Sequence, residues 1–189
     1  MMRHRPEGNT VSAIYDIHPM TVPEYLQATE LFGWEKTELI EGVVYDVPSE
    51  KNRHAETVRR LGIALSVALP DDLVYPSGSL DLSPWSMPEP DLYVVDRDAD
   101  VDLDGYMPAS EVRLIVEVSV STLNRDLGPK LRAYAKASIP AVWVVDPRPG
   151  AGWLQRHTDP VDGRFQAVRR FEVGECAGDL DAAAVLGRV

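Results

Sequence analysis

The chain has one cysteine, Cys176, among its 189 residues. A single thiol can neither close an internal disulfide nor build a cysteine zinc site, so the sequence fits a reducing cytoplasm. Long apolar runs are also missing, and no stretch reaches the length a helix needs to span a bilayer. The start, MMRHRPEGNT, has basic residues with no apolar stretch behind them, unlike a secretory signal. Aromatic residues make up only 7%. That is too few to advertise a sugar-stacking platform, although paired acids alone would suit glycoside hydrolysis. Positive charge is scarce, with 19 Lys and Arg against 30 Asp and Glu and a formal net charge of −11. Such a protein does not coat DNA through a broad basic face. Its basic residues are local: Arg53, His54, Arg59 and Arg60 form one cluster, and Arg125, Lys130, Arg132 and Lys136 another.

What is present is an ordinary globular composition, 44% hydrophobic and 26% charged. Residues 1–19 read as a loose leader, and residues 20–189 as a single domain long enough to bury a core. Thr21-Val22-Pro23-Glu24 is a capping box with proline in the first turn, which predicts a short helix to about Leu31. Two β-rich arms at 38–40 and 43–47 flank Glu41-Gly42, the pattern of a tight hairpin. A helix should then run from Ser49 to about Leu69, with Val58, Leu61, Leu65 and Leu69 on its inner stripe.

Short strands follow at 73–76, 79–83 and 91–96. Pro84, Pro88 and Pro90 hold the chain extended before Asp91. A strand over 113–119, a helix over 126–137 capped by Asp126, and a strand over 141–146 come next. An outer hairpin turns at Asp162-Gly163, and a short helix is expected around 180–186. Strands followed by a helix and a further strand indicate an α/β fold with a central mixed sheet flanked by helices.

The chemistry concentrates in RLIVEVSVSTLNRDLGPK, residues 113–130. Leu114, Ile115, Val116 and Val118 read as a strand buried on both faces. Glu117 sits in its middle, where a carboxylate must be neutral, paired or bound to a metal. On the next helix, Lys130 is three residues from Leu127 and four from Tyr134, which places an ammonium on or beside the apolar stripe. A carboxylate and an ammonium aimed inward from successive elements have the makings of a site, and a buried structural ion pair is the plain alternative.

Asp91 after Pro90, Glu117 in an apolar strand and an inward lysine together resemble the PD-(D/E)XK nuclease superfamily. TVPEYL, ELIEG, PEPDLYVV and LIVEVSVSTLNRDLGPKLRAYAKASIPAVWVVDP resemble, in that order, the Uma-type restriction endonuclease family of that superfamily over roughly residues 20–147. The resemblance implies a restriction-endonuclease-like core and a metal-dependent endonuclease that hydrolyses DNA phosphodiester bonds through an activated water. Asp91 and Glu117 would bind Mg²⁺, with Mn²⁺ able to substitute, and the carbonyl of Val118 would add a third oxygen. Lys130 would orient the attacking water or steady charge on the phosphate.

The superfamily's usual lysine lies two residues after the acid, a place held here by Ser119. The Uma-type pattern carries it on the following helix instead, at Lys130. Glu38 matches the acid of the ELI(D/E)G signature, while Glu41 sits in the turn of the same motif. His54, Asp126 and Tyr134 also match family positions. Homodimerisation would help such an enzyme cut both strands.

Rival readings exist. Asp100 to Glu111 satisfies a calcium-loop pattern, but its flanks read as strands, Pro108 takes a usual ligand position and there is one copy, so an acidic solvated loop is expected. Ser119 and Ser121 with His54 or His157 lack the glycines of a nucleophile elbow. The −11 charge also admits a nuclease fold that binds nucleic acid or a partner protein without cutting.

Overall fold

The computed structural model describes residues 18–34, 36–49, 51–102, 104–150, 152–172, 176–177 and 180–181. The expected leader lies outside these residues up to position 17.

The capping box forms as its sequence dictates. The Thr21 hydroxyl accepts from the Glu24 N–H and the Glu24 carboxylate accepts from the Thr21 N–H, opening α1 (Val22–Phe32). Gly33, at φ 68°, closes the helix in the left-handed conformation. β1 (Thr37–Ile40) and β2 (Val43–Asp46) then pair antiparallel about Glu41 (φ 50°) and Gly42 (φ 79°). Two positive φ values are what a two-residue type I′ turn requires. A β-carbon on Gly42 would stand 2.4 Å from the Pro19 side chain. Gly42→Ala should therefore cost more than about 1 kcal/mol, through strain and clash together. Urea unfolding tests this, and an unchanged midpoint would refute it.

α2 (Asn52–Ala68) starts three residues later than expected, after Lys51, whose side chain makes no capping hydrogen bond. Its inner stripe is Thr57, Leu61 and Leu65, all buried. Glu56 pairs with Arg59 and Arg60 on the outside, so those two arginines belong to a solvated face. β3 (Asp72–Pro76), β4 (Leu80–Asp81), β5 (Leu92–Asp96), β6 (Met107–Pro108), β7 (Val112–Val118), β8 (Ala141–Asp146), β9 (Trp153–Val161) and β10 (Arg164–Glu172) follow. Six of them form one sheet in the order β10-β9-β8-β7-β5-β3, and only the β7–β8 pairing in it is parallel. The mixed α/β architecture expected from the sequence is the one observed.

β7 is sandwiched between two layers, which explains its apolar run. Leu114, Val116 and Val118 face a cluster that includes Leu61 and Leu65 of α2. Ile115 faces the opposite cluster with Tyr134 and Ile139, and strand alternation puts Glu117 on that side. Leu92 and Val94 lie with the first cluster and Tyr93 and Val95 with the second, so the same alternation turns Asp91 toward the side of Glu117.

The crossover to β8 departs from expectation. The helix begins earlier, as α3 (Leu123–Arg125), is kinked at Gly128 (φ −106°, ψ −106°) within Asp126–Lys130, and continues as α4 (Leu131–Lys136). Asp126 is therefore not the N-cap. It lies one turn inside, accepting hydrogen bonds from the Ser119 and Thr122 hydroxyls. Pro129 lacks an N–H and its ring crowds the carbonyl four residues back, which accounts for the kink at Gly128. Asp126 and Lys130 are both buried.

A further expectation is corrected. Leu180–Asp181 (β12) pairs antiparallel with Cys176–Ala177 (β11), so the helix expected around 180–186 does not begin there, and residues 182–186 lie outside the described set. The acidic segment before β7 lies between the strands β5 and β6 and not between paired helices. Met107–Pro108 pairs with β4, a 3₁₀ turn follows, and the Asp102 carboxylate accepts the Asp104 N–H at 3.1 Å. Among the described residues no helix is long and apolar enough to cross a membrane.

Candidate active site

Four elements converge where β5 begins and β7 ends. β1 delivers Glu38, whose side chain is 1% exposed. Leu39 beside it turns the other way into a small cluster with Tyr25 and Met87. The first turn of α2 delivers His54, the residue before β5 is Asp91, and β7 delivers Glu117. The kinked segment and α4 deliver Asp126, Lys130 and Tyr134. All but Tyr134 line one cleft of about 70 Å³, room for a few water-sized groups.

Lys130 is the centre of the arrangement. Its Nζ lies 2.7 Å from Glu117 Oε1, 3.1 Å from Glu38 Oε2 and 3.2 Å from the Glu89 carbonyl oxygen. An ammonium has three N–H donors, and here each faces an acceptor. Tyr134 donates its hydroxyl to the same Glu117 Oε1. Glu38 also accepts the Glu89 N–H at 3.2 Å, and its Oε1 lies 3.2 Å from Arg125 Nε. Asp91 stands slightly apart, accepting the Val118 N–H at 2.6 Å and facing His54 Nε2 at 3.0 Å.

The Val118 carbonyl falls on the same side. Ser119 gives its N–H to Val145 across the β7–β8 boundary, whereas Val118 gives its own to Asp91. Successive residues of a strand alternate in this way, and the N–H and C=O of one residue share an edge. β5 pairs with β7 only from Leu92 opposite Val116, so no strand backbone stands across from Val118.

The electrostatics are lopsided. Burial is the main force raising the Glu117 carboxyl well above its ordinary range. Lys130 opposes that, while Asp126, Asp91 and Glu38 add to it. Asp126 is also raised, chiefly by burial. Burial works against the Lys130 ammonium, yet the surrounding carboxylates, Glu117 foremost, outweigh it and hold the ammonium charged. The Tyr134 hydroxyl is raised well above its usual value by burial and then by Glu117, so it stays a donor. Burial thus disfavours the ionised form of both carboxyls, and at Glu117 the neighbouring carboxylates add to that.

Glu41 does not join this group. Its carboxylate bridges Arg132 at 2.8 Å and Lys136 at 2.6 Å on α4, outside the cleft. Burial would raise its pKa, but the hydrogen bonds from Lys136 and Arg132 prevail and lower it. Sequence reasoning did not single out Arg125 or the Glu89 backbone as parts of the cleft. Arg125 comes in because the helix starts at Leu123 and kinks at Gly128, which leaves Arg125 at the end of α3 beside the cleft. Gly128-Pro129 was the available signal for that kink.

A family model described as "Uma2: Putative restriction endonuclease" matches residues 22–176 of the chain. No curated protein matches it. Among solved structures, the fold is similar to that of a protein from Anabaena variabilis described as a putative nuclease belonging to DUF820. The two superpose with a TM-score of 0.64 at 16% sequence identity, over 84% of this chain and 88% of that one. At that identity the likeness shows the fold alone.

Proposed function

Since the chain belongs to the Uma2 family of restriction-endonuclease-like proteins, we propose that it is a nuclease that hydrolyses phosphodiester bonds in DNA with the help of a divalent cation, Mg²⁺ or Mn²⁺ in its place. The observation that carries this reading is the meeting of Asp91, Glu117 and Lys130 at one cleft, on the same side of the sheet. A phosphodiester is anionic and repels a nucleophile, so the chemistry needs charge neutralisation at the reacting group.

The residues fit such an ion. Asp91, Glu117 and the Val118 carbonyl are hard oxygen donors. Mg²⁺ keeps several waters and takes only one or two carboxylates from the protein. A bound divalent cation would supply neutralisation of the phosphate and a lowered pKa for water. Burial, and after it the neighbouring carboxylates, raises Glu117, and added positive charge would favour its ionised form.

The chain's own groups have separable tasks. Lys130 and Tyr134 both hold Glu117 Oε1 and fix the aim of that carboxylate. The Val118 N–H and His54 fix Asp91. Glu38 shares Lys130 with Glu117 and keeps the ammonium in place. For Lys130 to orient a water or touch a phosphate, it must first release one of its three acceptors.

The test is cleavage of a supercoiled plasmid. Cutting should require Mg²⁺ or Mn²⁺, stop with EDTA, and fall at least about 100-fold in Asp91→Asn, since the cation that would stabilise developing charge loses an anionic ligand. Cutting that persists in EDTA would reject the metal-dependent mechanism. The fully engaged ammonium also favours a second reading, a nuclease fold that binds without cutting. Calorimetric titration with Mn²⁺ separates the two, because the second reading predicts no binding that depends on Asp91.

A further inference from the structure

We infer that Arg125 is the residue that grips the substrate's phosphate. The inference rests on the reading above, that the cleft receives a phosphodiester. An entering phosphodiester brings negative charge to a cleft that already holds Glu38, Asp91, Glu117 and Asp126. Lys130 is poorly placed to meet it. Its side chain is 3% exposed and its three donors face Glu117, Glu38 and the Glu89 carbonyl. His54 faces Asp91. Lys51 lines the rim, but it is exposed and its side chain makes no capping hydrogen bond that would hold it.

Arg125 has the opposite character. It lines the same cleft, and its side chain is 15% exposed, buried enough to be held and open enough to be reached. A guanidinium has five N–H donors in a rigid fork. One Nη donates to the Asp46 carbonyl at 2.8 Å, and Nε faces Glu38 Oε1 at 3.2 Å. The Tyr45 ring stands 6.0 Å from the guanidinium carbon and walls one side. Among the described residues the other four N–H groups have no hydrogen-bond acceptor, Nε included, whose contact with Glu38 is an ion pair without hydrogen-bond geometry. Two anchors on separate elements thus fix the plane of the fork while leaving donors for the bidentate grip that guanidinium makes on phosphate oxygens. Arg125 is thereby a catalytic residue, touching the non-bridging oxygens as charge develops there. Lys130 is a positioning residue that acts through Glu117.

The experiment uses the full chain, with Arg125→Ala and Arg125→Lys compared with the parent. Three quantities are measured: single-turnover cleavage of a fluorescein-labelled duplex with Mg²⁺, binding of the same duplex in EDTA across a salt series, and Mn²⁺ affinity by calorimetry. Arg125→Ala should cut at least about 100-fold more slowly, and the slope of log affinity against log salt should fall by about 1. Its Mn²⁺ affinity should stay within about twofold of the parent, since Arg125 binds the phosphate and not the ion. Millimolar guanidinium should restore part of its rate.

Arg125→Lys keeps a charge beside Glu38, so it guards against a variant that fails to fold. It should bind DNA but cut slowly, because a point charge lacks the fork. Parental cleavage and salt slope in both variants would overturn the inference. So would a lost rate accompanied by lost Mn²⁺ affinity and no guanidinium rescue, which marks a purely structural role through Glu38. A parent that binds DNA with the Arg125-dependent slope yet never cuts would sink the nuclease reading and keep the phosphate grip. A parent that neither binds nor cuts would overturn both.

Discussion

Glu117→Gln should abolish metal-dependent DNA cleavage while raising the melting temperature of the metal-free protein. The two effects have one cause. Burial, with Asp126, Asp91 and Glu38 adding to it, raises the folded-state pKa of Glu117 well above the ordinary 4.5. A carboxyl raised in this way favours the native state only while it is protonated. Its contribution is complete below the ordinary value and is lost as pH rises through the elevated one. Glutamine keeps the shape, still accepts from Tyr134 and Lys130, and carries no charge to desolvate.

The gap in stability between variant and parent should therefore be small near pH 4.5 and widen as pH rises. Each kcal/mol of it would appear as about 2–4 °C in a chain of this size. Cleavage should fall at least about 100-fold, because the carboxylate is one of the oxygens proposed to carry the cation. Thermal melts in EDTA across pH test the stability half, and equal melting at every pH would refute it. Cutting that survives the substitution would point to a contaminating nuclease.

Lys130→Met should be severe in the opposite sense. The ammonium has its pKa raised by four carboxylates, so its stabilising contribution is fully present below the ordinary lysine value of 10.5, including at neutral pH. Taking it away leaves Glu38 and Glu117 buried without their shared partner. Removing one member of a buried ion pair costs about 3–5 kcal/mol. Adding Glu117→Gln should recover part of this loss, with a coupling of at least about 1 kcal/mol in a double-mutant cycle. Strict additivity in denaturant melts would show that the pair is not coupled. Lys130→Arg should not substitute, since the cavity holds a compact ammonium on three converging acceptors and not a planar fork.

Most residues of the candidate cleft were legible because they violate the pattern around them. Glu117 interrupts a run that alternation buries on both faces, and Lys130 interrupts a helical stripe, so each stood out against a strong local rule. Glu38 was legible only through the ELIEG motif, since its own strand is too short to show a period. The local rules misled where a distant contact competed with them. Asp126 followed by Leu127, Leu131 and Tyr134 at helical spacing reads as a helix start. In the fold its carboxylate instead accepts from Ser119, seven residues earlier, and the helix begins ahead of it. The kink that follows was hidden for the same reason, and Arg125 was hidden with it. Ser49 likewise reads as a cap for α2, but the helix begins only after Lys51, where His54 reaches Asp91. At the chain's far end a short apolar run suited a helix, and pairing of Cys176–Ala177 with Leu180–Asp181 decided otherwise.

The route by which Glu38 reaches the cleft bears on how the molecule fails. Its hairpin and α1 share a small apolar cluster of their own, Tyr25, Leu39 and Met87, and two backbone hydrogen bonds tie Leu39 to Met87. The six-stranded sheet has larger clusters on each face that include none of these three residues. Segments with few apolar contacts open at lower free energy than the bulk of a fold. Mild denaturation will thus detach this flap first, stripping Lys130 of an acceptor while the sheet is still intact. Function will be extinguished reversibly, ahead of any global melting.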